Sequence, residues 1–94
     1  MIWIFYDREK GRLTAQGHSS AAPVGQDIVC AAVSAAMDMI VVMLPWDKVS
    51  LIQGDGYQEI TCKGARGRKV FSRGVSYLAA IARKYPDQVQ VKRK

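Results

Sequence analysis

The chain has 94 residues, 49% of them hydrophobic and 23% charged, with 14 Lys and Arg against 8 Asp and Glu for a net charge of +6. It is too short for a second domain and too apolar for a disordered segment, so residues 1–94 are expected to form one domain around one core. Two cysteines and one histidine exclude a disulfide-rich scaffold and a structural zinc site made of Cys and His alone, and the positive charge biases the molecule toward anionic partners.

Ile2 to Tyr6 is rich in β-branched and aromatic residues and reads as a strand. It meets Asp7-Arg8-Glu9-Lys10 too soon to be a secretory signal. Gly11 then turns the chain into Arg12 to Gly17, which closes a hairpin. From His18 to Gln26 the residues are small and polar, broken by Pro23 and Gly25, and predict a loop. Asp27 is a preferred helix cap, and Ile28, Ala32, Ala36, Ile40 and Leu44 recur every fourth residue, so a long helix runs up to Pro45. Ser34 and Asp38 interrupt its apolar run, which makes it a buried helix rather than a membrane span.

Val49 to Gln53 and Tyr57 to Lys63 flank Gly54-Asp55-Gly56 and predict a second hairpin. Gly64 to Lys69 reads as a basic loop. Phe71, Val75, Leu78, Ala82 and Tyr85 form one stripe of a second helix over Val70 to Tyr85, stopped before Pro86. Val89 and Val91 alternate with polar residues in a short last strand. The order ββαββαβ predicts an α+β fold, a mostly antiparallel sheet with two helices packed on one face. A soluble, cytoplasmic protein with reduced thiols is expected.

Chemistry concentrates between Gly17 and Ser34. A nucleophilic thiol needs a base or cation, a positive helix end and free N–H groups for an oxyanion. With Asp27 as cap, Cys30 is the third residue inside the helix, where the dipole favours a thiolate. His18 reaches it by folding over the loop, either as general base or as the imidazolium of an ion pair. Asp27 caps the helix or orients His18. Ser34 shares the face of Cys30, where its hydroxyl supports the sulfur or bonds the Cys30 carbonyl. The plain alternatives are a small core cysteine and a loop histidine.

Gly17-His18, a short glycine-containing loop, and Gly25-Gln26-Asp27-Ile28-Val29-Cys30-Ala31-Ala32-Val33-Ser34 resemble the signature of the ribosomal-processing cysteine protease family, Prp. The likeness extends over nearly the whole chain, through both hairpins and the Tyr85-Pro86 step before the last strand. It implies a homodimeric cysteine endopeptidase that works without metal or cofactor. Its substrate would be the N-terminal extension of the large-subunit ribosomal protein numbered twenty-seven or, in related phage systems, a virion protein. The resemblance makes Cys30 the nucleophile and His18 its base, with Asp27 and Ser34 supporting and Gly17 fixing the histidine turn. Ser19 to Gln26 becomes a flap over the peptide, with Ser19, Ser20, Pro23 and Gly25 at the substrate. This flap departs from the family in lacking an aromatic residue, and Pro23 stiffens it.

The rival reading is a small basic RNA-binding or ribosome-associated module with an unused thiol. Arg66, Arg68, Lys69 and Arg73 cluster near the second helix, Lys92-Arg93-Lys94 follow the last strand, and Trp3, Tyr57 and Tyr77 offer stacking faces. Cys62 is taken as structural, since the single histidine cannot serve both thiols.

Overall fold

The computed structural model describes residues 1–18 and 27–94. Its elements follow the expected order: β1 (Ile2–Asp7), β2 (Arg12–Gly17), α1 (Asp27–Met43), β3 (Ser50–Gly54), β4 (Tyr57–Thr61), α2 (Ala65–Lys84) and β5 (Val89–Arg93). The strands make one sheet of order β3-β4-β2-β1-β5. Every pairing is antiparallel except β1 with β5, which is parallel. A parallel neighbour needs a crossover, and α2 supplies it.

Strand periodicity decides which face is covered. Ile2, Ile4 and Tyr6 are buried while Trp3 and Phe5 between them are exposed. Register carries the buried set across the sheet: Tyr6 lies opposite Leu13, Leu13 opposite Ile60, and Ile2 beside Val89. These residues share one hydrophobic cluster with Val29, Val33, Met37 and Ile40 of α1 and Phe71, Val75, Leu78 and Ile81 of α2. Both helices therefore cover the same face, as expected. The Tyr6 and Phe71 rings meet at 5.4 Å between centroids, which ties β1 to α2.

The stretch expected to be a basic loop is helical. α2 begins at Ala65, five residues before the expected start at Val70. Glycine and positive charge suggested a loop, but Ala, Arg and Lys are good helix formers and Arg66, Arg68 and Lys69 all point to solvent. Gly67 is buried in this first stretch because a Cβ there would press on the Cys62 carbonyl oxygen at 2.6 Å. Cys62 itself is buried in the core. The second hairpin closes on Asp55-Gly56, and Gly56 takes the positive φ of 66° that its tight turn requires.

Candidate active site

The site is assembled from three elements. β2 ends at Gly17, whose φ of 107° and close approach to Met1 admit only glycine, since a Cβ would collide with the Met1 carbonyl oxygen. The Gly17 N–H donates to the Gly56 carbonyl at 2.8 Å, so the end of β2 is tied to the turn between β3 and β4. His18 emerges from this junction with an exposed side chain.

That turn seats the imidazole. The Cα of Gly56 lies so close to the His18 ring that a Cβ would collide with Nε2. His18 Nε2 is also 3.9 Å from Asp55 Oδ1, an ion pair when the ring is protonated. On the open face of the sheet the Tyr57 hydroxyl donates to Glu59 at 2.6 Å, and this bond holds the phenol pKa above its ordinary value.

α1 forms the opposite wall. It begins at Asp27, so Cys30 is its fourth residue rather than the third, still inside the first turn, at the positive end of the helix dipole. Cys30 is half-buried against the core. Ser34 and Asp38 follow at one-turn intervals, and all three residues line one groove of about 450 Å³. Its far wall is the sheet, where Ala15, Gln58 and Gln53 are neighbours in register. Because β3 is exposed along its whole length, this wall stands clear of the helix and the groove stays open.

Gly17, His18, Cys30 and Ser34 thus meet around one groove. The expected flap residues Ser19, Ser20, Pro23 and Gly25 lie outside the described residues, as does the Asp27 side chain. Gly56, Asp55, Gln58 and Asp38 were not anticipated. Only Asp38 carried a usable signal, its spacing of eight residues from Cys30. A thiol, an imidazole and the start of a helix sharing one groove are the components of acyl transfer through sulfur.

The chain matches the family model described as Cysteine protease Prp over residues 1–90. The chain belongs to the Prp family. It is therefore a cysteine protease. No curated protein matches it in sequence. Among solved structures, the Prp ribosomal processing protease from S. aureus in complex with a substrate peptide is similar with a TM-score of 0.84 at 18% identity, covering 100% of each chain. The same S. aureus protease with a covalently linked product peptide gives a TM-score of 0.82 at 19% identity, again over 100% of each. SMU.848 from Streptococcus mutans gives 0.74 at 22% identity, covering 98% of this chain and 90% of that one. At these identities the likeness is one of fold, and it matches the Prp arrangement of five strands and two helices described above.

Proposed function

We propose that this Prp-family protease is a single-domain, cytoplasmic endopeptidase. On this reading it removes an N-terminal extension from the large-subunit ribosomal protein numbered twenty-seven or from a related virion protein. The observation that carries the reading is that His18 and the first-turn Cys30 line the same open groove. The S. aureus relative, described as an essential ribosomal processing protease, supports the substrate class.

In this mechanism His18 takes the Cys30 proton and the sulfur attacks the peptide carbonyl carbon. N–H groups in the first turn of α1 hold the oxyanion. The proton passes from His18 to the departing amine as the C–N bond breaks, which leaves a thioester on Cys30. Water then attacks the thioester with His18 as base, releasing the new carboxylate and restoring the thiol. Ser34 supports the sulfur from one turn along.

The homodimer belongs to the same proposal. The outer face of α1 exposes Ile28, Ala31, Ala35, Met39 and Val42, an apolar stripe that suits a second copy of the same helix. The open face of the sheet is the poorer candidate, because Lys92 Nζ sits 5.7 Å from the Trp3 ring centroid and Arg12 faces Glu59 there.

Incubation with N-terminal extension peptides, read by mass spectrometry, tests the activity directly. One discrete cut is expected, with Cys30→Ser slower by about a thousandfold or more. Iodoacetamide labelling tests the pair: Cys30 should be alkylated before the buried Cys62, and His18→Ala should slow the labelling of Cys30 while leaving Cys62 as it was. Labelling of Cys30 that His18→Ala leaves unchanged, or intact extension peptides, would defeat the proposal.

A further inference from the structure

We propose that Asp38 is a specificity residue that selects substrates carrying Lys or Arg about three or four residues from the cleaved bond. The inference rests on the protease reading above and adds a subsite to it.

Its position comes from helix geometry. Asp38 lies eight residues beyond Cys30, or about 12 Å along the helix at about 1.5 Å per residue. An extended peptide advances by about 3.3 Å per residue, so a substrate lying along the groove presents its third or fourth residue from the reacting carbonyl to Asp38. Both ends of that path line the same groove, with Ser34 between them.

The charge pattern decides the chemistry. Among the described residues that line the groove, Asp38 is the one carboxylate and there is no Lys or Arg, while the Asp55 carboxylate stands by His18 at the other end. The whole chain carries +6, so a carboxylate in the groove runs against the net charge of the molecule. Gln58 Nε2 donates to Asp38 Oδ1 at 3.2 Å and orients the carboxylate. That single bond leaves capacity on a group with about four lone-pair sites, enough for a lysine ammonium or an arginine guanidinium. Gln53, opposite Gln58 in register, adds a second amide whose oxygen can accept from the same cation. Asp38 is exposed when the groove is empty, so this attraction falls as salt rises.

The test is a peptide library cut from a proteome by a glutamate-specific protease, so that Lys and Arg remain internal. Wild type, Asp38→Asn and Asp38→Lys are each incubated with it and the new ends read by mass spectrometry. Peptides matched for Lys or norleucine at the selected position then give kcat/KM ratios. Wild type should show Lys and Arg enriched at one position about three or four residues from the cut. The Lys peptide should be about fivefold better than its norleucine counterpart, the upper range for an exposed ion pair. This ratio should approach one in Asp38→Asn, fall below one in Asp38→Lys, and in wild type shrink with added KCl. Cleavage without a basic preference there, or a preference that survives Asp38→Asn, overturns the subsite and leaves the protease reading standing. A library left intact by wild type overturns the protease reading and the subsite with it.

Discussion

At the scale of single residues, the position of His18 is decided less by charge than by shape. Its ion pair with Asp55 spans 3.9 Å between an exposed ring and a fully exposed carboxylate, where solvent screens most of the attraction. The contact with Gly56 is different, because a Cβ there meets the ring and also has to adopt a φ of 66°. We therefore expect Asp55→Asn to change kcat/KM by less than about threefold. Gly56→Ala should lower it by about a hundredfold, the usual scale for a misplaced catalytic group. Gly54→Ala, with nothing within 4 Å of the added carbon, is the control and should behave as wild type. Steady-state rates on one cleavable peptide separate these outcomes, and equal effects of Gly56→Ala and Gly54→Ala would refute the seat.

Among elements, α2 starts against the usual rule. Ser, Thr, Asp or Asn normally stabilises the cap position, yet Gly64 stands there with no side-chain cap and a φ of 103° with ψ of 171°. That region is essentially closed to residues with a Cβ. Gly64→Ser should accordingly destabilise the fold by about 1–2 kcal/mol although the space around it is open. Gly67→Ala should cost about 1–3 kcal/mol for a second reason, since it meets the Cys62 backbone, which cannot rotate away. Gly74→Ala also meets a neighbour, but that neighbour is the flexible end of Ile40, so a smaller loss is expected. Urea denaturation of the three variants ranks them, and a stabilised Gly64→Ser would show that ordinary capping wins.

For the whole molecule, the question is what covers the outer face of α1. Val42 is 78% exposed and Met39 58% exposed on a helix whose other side is core. Exposing such a stripe to water is unfavourable, and pairing it with a second copy removes the cost at about 25 cal/mol per Å² buried. If the proposed dimer forms through this face, Val42→Glu together with Met39→Lys should sediment as a monomer where wild type sediments as a dimer, while far-ultraviolet circular dichroism stays unchanged. A wild type that sediments as a monomer across the concentrations used for activity assays would reject this surface. The cations gather elsewhere. Arg8, Arg68 and Lys94 border a separate cleft that includes Glu9, away from the groove of Cys30 and His18.

Local signals were enough to read the order of elements, the two-residue period of Ile2, Ile4 and Tyr6, the end of α2 close before Pro86, and a histidine and a first-turn cysteine that line one groove. Each depends on neighbours within a turn of helix or a few residues of strand, or on a motif written contiguously in the chain. The helical start of α2 was hidden because glycine and arginine look like a loop until Gly67 is seen packed on the Cys62 carbonyl. The seat of His18 on Gly56 and the bond from Gln58 to Asp38 join residues 38 and 20 positions apart. Only the sheet register and the packing of α1 bring such distant residues together, because side-chain proximity across a fold is a property of tertiary packing and not of spacing along the chain.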